Sequence, residues 1–200
     1  MDVEIVKIIP SQKGALEDIA SVYQKTFGSD PWNEGYRCPV CEKVFPLSCK
    51  EKECPSCAKA ILEEYWPIEK IISDFLTEMA KPKSLCLAAL ANGKIIGFAW
   101  GYEIIVDPSI DLRLEAPGLH QLASGVYFYL DEAAILPPFQ NKGIGKKLIQ
   151  RIFMEQNQSN ILLRTLNGSR MFQIIQKMDG KPALLISRDR VIMTLDLSLY

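Results

Sequence analysis

The first apolar pattern in the chain is an alternation. Val3-Glu4-Ile5-Val6-Lys7 runs into Ile8-Ile9 and is closed by Pro10, which predicts a strand over residues 3–9 because side chains of extended backbone alternate faces. The period then changes. Leu16, Ile19, Ala20, Tyr23 and Phe27 recur at helical spacing behind Ser11, and Gly28-Ser29-Asp30-Pro31 supplies the stop, so a helix capped by Ser11 is expected there. From Tyr36 to Ala58 neither period is present, and the stretch is rich in Cys, Pro, Lys and Glu; such a segment buries no core of its own and needs another organising principle. Helical spacing resumes at Ile61 and Leu62. It returns behind Pro67 with Ile68, Ile71, Ile72, Phe75, Leu76 and Met79, until Lys81-Pro82-Lys83 interrupts it.

The second half reads as strands that lead into helices. Ser84 to Ala91, the dipeptide Asn92-Gly93 and Lys94 to Val106 form a hairpin signal, since Asn-Gly accepts the positive φ angles of a two-residue turn. A polar loop from Asp107 to Ser124 precedes a strand from Gly125 to Leu136, stopped by Pro137-Pro138. Ile144 to Phe153 has helical spacing, Ile161 to Leu166 is an apolar strand, Ser169 to Met178 a helix, and Ala183 to Ser187 and Val191 to Leu197 are closing strands. This order predicts a three-layer α/β/α domain around a central mixed sheet.

Composition narrows the function classes. With 48% apolar and 24% charged residues over 200 positions, the chain has the make-up of a globular domain. Its 23 basic and 24 acidic residues give a formal charge of −1, leaving no net field for non-specific nucleic-acid binding. The most apolar stretch, Ile95 to Val106, contains Gly97, Gly101 and Glu103 and falls short of the ~20 residues a bilayer span needs. The N-terminus has no basic start followed by an apolar run, so no signal peptide is read and a cytoplasmic location is expected.

Five of the six cysteines fall within twenty residues. Cys38-Pro39-Val40-Cys41, twelve intervening residues and Cys54-Pro55-Ser56-Cys57 are two knuckles of the C-x₂-C type, in which paired thiolates ligate one ion and two turns complete a tetrahedron. Soft sulfur ligands suit a structural Zn²⁺, with iron as the alternative. Cys49 is a spare that could replace one of the four, and Cys86, inside Leu85-Cys86-Leu87, reads as a small buried hydrophobe.

The turn Gln140-Asn141-Lys142-Gly143-Ile144-Gly145-Lys146-Lys147 joins a strand to a helix. Glycines bare the backbone N–H groups, the helix start adds unpaired donors and partial positive charge, and three lysines strengthen the field, which makes an anion cradle. A Walker loop would need Gly at Gln140 and Ser or Thr at Lys147, and the dinucleotide fingerprint would need Gly or Ala at Leu148; neither is present. The pattern Gln-x-x-Gly-x-Gly after the Ile135-Leu136-Pro137 strand end resembles the GNAT superfamily of acetyl-CoA-dependent N-acyltransferases. Pro31-Trp32-Asn33-Glu34, Gly93-Lys94-Ile95-Ile96-Gly97-Phe98 and Leu163-Arg164-Thr165 are similar to family features in the expected order, so the likeness covers nearly the whole chain. It implies a single GNAT-like domain over residues 1–200 with a zinc-knuckle insertion at 36–58.

What the resemblance implies for chemistry can be placed on residues. The clamp for the pyrophosphate of acetyl-CoA would be Leu136 and Gln140 to Lys147, and Ala133, Ala134 and Ile135 would hold the pantetheine arm through backbone groups. Asn167 stands where family members carry an Asn near the cofactor. Acylation of an amine also needs a proton acceptor; Asp131 and Glu132 are adjacent, and strand alternation lets one of them face a cleft. The odd face, with Tyr127, Tyr129 and Asp131, is wet-ended, which favours Asp131, and a β-bulge would transfer the role to Glu132. The family's usual Tyr proton donor is missing from the helix after Arg164-Thr165, where Met171-Phe172-Gln173-Ile174-Ile175-Gln176 stands; Tyr127, Tyr129 or water would serve. His120 reads as a solvated loop residue, and Trp32 and Tyr36 as edges of an acceptor pocket or of the core. The reading is thus an N-acetyltransferase acting by direct transfer on an amine of a small molecule, an antibiotic, an amino acid or a peptide. The alternative is a non-catalytic GNAT scaffold that senses acyl-CoA or docks proteins through its zinc knuckle. No membrane or nucleic-acid partner is expected, and a homodimer is compatible with the sequence without being required by it.

Overall fold

The computed structural model describes residues 2–107, 122–187 and 189–199. His120 lies outside the described residues. Strand β1 (Glu4–Ile8) leads into helix α1 (Lys13–Phe27). The cap differs from expectation: Gln12, not Ser11, occupies it, and its Oε1 accepts from the Ile9 N–H at 2.8 Å. The apolar stripe of α1 is buried along Leu16, Ile19, Ala20, Tyr23 and Phe27, as its spacing requires.

Three two-residue strands follow, β2 (Tyr36–Arg37), β3 (Val44–Phe45) and β4 (Glu63–Glu64), in a small antiparallel sheet ordered β3-β2-β4. The helical spacing at Ile61 and Leu62 is therefore overridden: the chain there pairs Glu53 with Ile61 and enters β4, and Ile61 is 69% exposed. Helix α2 (Ile68–Met79) begins directly after Pro67, whose fixed φ suits a helix start.

Strands β5 (Leu85–Ala91) and β6 (Lys94–Val106) are joined by Asn92 and Gly93 at φ 51° and 73°, the hairpin turn foreseen from the dipeptide. After β7 (Gly125–Ile135) come a short 3₁₀ turn (Pro137–Phe139), α3 (Ile144–Glu155), β8 (Asn160–Leu166), α4 (Arg170–Gln176), β9 (Lys181–Leu185) and β10 (Arg190–Asp196). Ser169 caps α4 by accepting the Phe172 N–H at 3.1 Å. The main sheet has seven strands in the order β1-β5-β6-β7-β8-β10-β9. It is mixed, because β7 pairs with β8 in parallel while β10 pairs with both its neighbours antiparallel.

The chain separates into two compact units, Met1–Thr77 with Leu87–Phe98 and Ala134–Leu148, and Glu78–Cys86 with Ala99–Ala133 and Ile149–Tyr200. In the first, Tyr23 packs on Phe27 at 4.3 Å, on Trp66 at 5.3 Å and on Phe98 at 6.1 Å between ring centroids. Ala89, Ala91, Ile96 and Ile144 form a second cluster there, with Ile135, Leu136 and Phe139 against it. In the second unit the core gathers Val106, Leu122, Tyr127, Leu162 and Ile192. Fully burying side chains of this size stabilises by roughly 1.5–3 kcal/mol each.

Candidate active site

The glycine turn of the first unit is anchored at both ends. Leu136 N–H donates to the Ile96 carbonyl at 2.9 Å, and the Gln140 amide reaches back to the Ile135 carbonyl at 2.8 Å. Asn141 and Gly143 take positive φ, 60° and 78°, reversing the chain so that α3 starts at Ile144, which is buried against Ala89, Ala91 and Ile96. Nothing lies within 4 Å of where a Gly143 side chain would begin: the glycine serves conformation and leaves open space over the turn. The first intrahelical bond runs from Lys147 N–H to the Gly143 carbonyl, so the N–H groups of Ile144, Gly145 and Lys146 have no partner within the helix. Lys146 and Lys147 are exposed; Lys142 folds back, its ammonium 2.9 Å from the Pro138 carbonyl and 5.5 Å from the Phe139 ring centroid. Ala133, Ala134 and Ile135 close strand β7 just before this turn.

In the second unit the register of β7 with β8 runs from Phe128↔Ile161 to Leu130↔Leu163. Asp131 follows the last of these pairs. It is half-buried, and one oxygen, Oδ2, accepts the indole N–H of the buried Trp100 at 3.0 Å. Burial pushes its carboxyl up to about 6, with Glu78 adding in the same direction and the Trp100 bond, Lys81 and Arg164 opposing it. Tyr129 packs 5.7 Å from Tyr102 between ring centroids, and burial, reinforced by Asp131, holds both phenols well above their ordinary range. Tyr127 is placed differently: its ring belongs to the apolar cluster and its hydroxyl donates to the Ala123 carbonyl at 3.0 Å. Glu132 is half-buried on the next position of the strand. Asn167 is exposed at the end of β8, its N–H on the Asp189 carbonyl at 2.8 Å.

Sequence reasoning missed four members of this group: Trp100, Tyr102, Glu78 and Lys81. Tyr102 is 3% exposed, the Glu78 charge helps hold its phenol protonated, and the Lys81 ammonium pairs with Glu78 and stands 3.9 Å from the Tyr102 ring centroid. The available signal was parity, since Trp100 and Tyr102 occupy the same face of β6, but aromatic residues in an apolar strand read first as core.

The two cysteine knuckles converge. The sulfurs of Cys38, Cys41, Cys54 and Cys57 all lie within 4.8 Å of one another, with Cys38···Cys57 and Cys41···Cys54 each at 3.6 Å. Four thiolates at about 2.3 Å from one Zn²⁺ stand about 3.8 Å apart, so the donor set fits a tetrahedral ion. Both knuckles repeat one backbone device: Glu42 N–H bonds the Cys38 carbonyl and Ala58 N–H the Cys54 carbonyl, each at 2.9 Å, with Glu42 and Ala58 at φ 59° and 50°. The Cys41 N–H, 3.4 Å from the Cys38 sulfur, helps pull that thiol down to about 6. Cys49 stands outside the cluster, with its thiol on Glu51 at 3.2 Å. The module is fastened to α1: Leu47 N–H donates to the Gly28 carbonyl, Gly35 N–H to the Phe45 carbonyl, and Gln24 binds the Glu64 carboxylate and the Trp66 carbonyl. Trp66 in turn donates to Glu34 at 3.0 Å, and Trp32 packs on Phe27 at 5.4 Å.

Comparison with known proteins gives a consistent result. The family model described as the acetyltransferase (GNAT) family matches residues 49–163. A GCN5-like protein acetyltransferase of Mycobacterium tuberculosis is 33% identical over an 86-residue alignment covering 39% of this chain and 42% of that protein; the chain thus aligns with less than half the length of this curated relative. Among solved structures, an N-acetyltransferase from Staphylococcus aureus superposes with a TM-score of 0.60 at 14% identity, over 98% of this chain and 99% of that one. A PaiA N-acetyltransferase from Thermoplasma acidophilum, solved in complex with coenzyme A, does so with 0.55 at 17% identity, over 98% and 99%. These last two likenesses are of fold, and with the family match over more than half of its residues, the chain belongs to the GNAT acetyltransferase family.

Proposed function

We propose that this protein transfers an acetyl group from acetyl-CoA directly to an amine, with Asp131 as the base. The observation that carries the reading is the environment of Asp131: a half-buried carboxylate just past the last β7–β8 pair, with one oxygen held by the Trp100 indole N–H. At pH 7 a carboxyl of about 6 is mostly ionised yet basic enough to accept a proton, the balance general-base catalysis needs. Asp131 takes a proton from the acceptor, its nitrogen attacks the thioester carbonyl, the C–N bond forms, the C–S bond breaks, and the departing thiolate is protonated. Tyr127, whose hydroxyl already donates to the Ala123 carbonyl, is poorly placed to supply that proton, which leaves Tyr129 or water as its source. The free N–H groups at the start of α3, with Lys146 and Lys147, would bind the pyrophosphate of acetyl-CoA, and Ala133 to Ile135 its pantetheine arm. The four clustered cysteines would hold a structural Zn²⁺ that fixes the 36–58 segment against the end of α1.

The test is coenzyme A release on a panel of primary amines, followed across pH. Asp131→Asn should lower kcat/KM by about 10²-fold or more, with acetyl-CoA affinity retained. Full turnover in that variant would remove Asp131 from the mechanism. Tight acetyl-CoA binding without turnover on any amine would favour the scaffold reading, for which the absence of a Tyr in α4 speaks.

A further inference from the structure

The cluster beside Asp131 contains an ammonium that the chain itself provides. Lys81, in the turn after α2, places its Nζ 3.9 Å from the ring centroid of Tyr102 and pairs with Glu78. The Glu78 Oε2 atom is buried although the side chain as a whole is 22% exposed, and the Glu78 charge helps keep the Tyr102 phenol protonated. Asp131 lies close enough to sense the charges of both Glu78 and Lys81. A face of a buried aromatic ring, a half-buried carboxylate and a second carboxylate tied to an indole N–H are the parts of a box for a primary ammonium. A surface i, i+3 ion pair needs none of the aromatic or buried groups, and by itself contributes little.

We propose that this box is the recognition site for the amino group of the acceptor and that Lys81 is its resident occupant, displaced when an acceptor enters. The acceptor class follows from the guest already seated: a primary ammonium on an unbranched alkyl chain, such as a lysine side chain or an alkyl diamine. Naming the guest an acceptor rests on the acyl-transfer reading above; the existence of the box does not. Tyr102 contributes its face and Glu78 its charge to hold the incoming cation, and Asp131 stands beside them to receive its proton. Lys81 offsets the charge of Glu78 while the box holds no guest. It also competes with the guest, because a site occupied by its own side chain nine-tenths of the time binds about tenfold more weakly than a vacant one.

The experiment is calorimetric titration with n-butylammonium chloride, in the full-length, metal-replete protein and without acetyl-CoA, so its outcome is independent of whether acetyl transfer takes place. Lys81→Met keeps most of the alkyl stem and removes the charge; it should bind n-butylammonium about tenfold more tightly than wild type, and Lys81→Gln should do the same if the first variant folds poorly. Adding Glu78→Gln or Tyr102→Leu to Lys81→Met should abolish the gain, and 1-butanol, the neutral counterpart, should bind neither protein. Equal affinity in wild type and both Lys81 variants would overturn the proposal, as would a gain that survives loss of Glu78 and Tyr102 or is matched by 1-butanol. Acetyl transfer failing while the gain persists would overturn only the acceptor role of the guest.

Discussion

Asp131→Asn should make the protein more stable at neutral pH and leave it unchanged in acid. The Asp131 carboxyl titrates near 3.8 when unfolded and at about 6 in the fold, with burial as the leading cause. A raised carboxyl value means that the folded state prefers the protonated form. Stability is therefore undiminished below about pH 4, declines as the pH rises through the interval between the two values, and carries the full penalty above about 6. At 1.36 kcal/mol per pH unit the difference corresponds to about 3 kcal/mol at most, and allowing for solvent on the open side of a half-buried group leaves about 2. Asn presents the same shape without charge, and its Oδ1 can still accept the Trp100 N–H. Urea unfolding of both proteins at pH 8 and at pH 4 measures this: the expected gain is about 2 kcal/mol at pH 8 and under 0.5 kcal/mol at pH 4. A loss at both values, or an equal change at both, would refute the argument that the fold holds Asp131 against its preferred protonation state. Such a strained carboxylate is the stability cost a base carries.

Three further outcomes follow from the same structure. Trp100→Phe removes the N–H that steadies the ionised carboxylate, so the acid limb of kcat/KM against pH should move above about 6; an unmoved limb would deny Trp100 its positioning role. In Gly101→Ala the new Cβ would meet the Tyr129 carbonyl oxygen and, at 2.6 Å, the Phe128 ring, which should cost about 1–3 kcal/mol and lower Tm by several degrees in a thermal scan. Plasma emission analysis should find one zinc per chain, and Cys41→Ser or Cys54→Ser should lose it together with protease resistance across residues 36–65, because the two-residue strands β2, β3 and β4 are too short to persist without the metal.

Much of the architecture was legible because local and tertiary signals agree. Asn92-Gly93 forms the turn its φ preferences dictate, Pro67 opens α2, and Ser169 caps α4. The misreadings arose where a tertiary constraint overrode a local one. Ile61 and Leu62 have helical spacing but belong to a segment that pairs with Glu53 and enters β4. The odd face of β7, read as wet-ended, includes Tyr127, which is buried, and Phe128 and Leu130 on the other face are buried too: β7 is covered on both sides over much of its length, so parity alone could not separate site from core. The cysteine cluster was readable from spacing because two C-x₂-C turns can close on one point. The box of Glu78, Lys81 and Tyr102 was not, since a charged pair at a helix end normally stays in solvent and only the fold brings an aromatic face to it.

Acetyl-CoA recognition by the glycine turn is the claim on which the account stands. Isothermal titration of zinc-replete protein with acetyl-CoA, in wild type and in a Gly145→Glu, Lys146→Glu variant that leaves the positive-φ Gly143 in place, tests it directly. Micromolar binding in wild type, lost when two carboxylates are set over the free N–H groups of α3 while the circular dichroism spectrum is unchanged, is the predicted result. Folded wild-type protein that does not bind acetyl-CoA, or a variant that binds it equally well, would contradict the account.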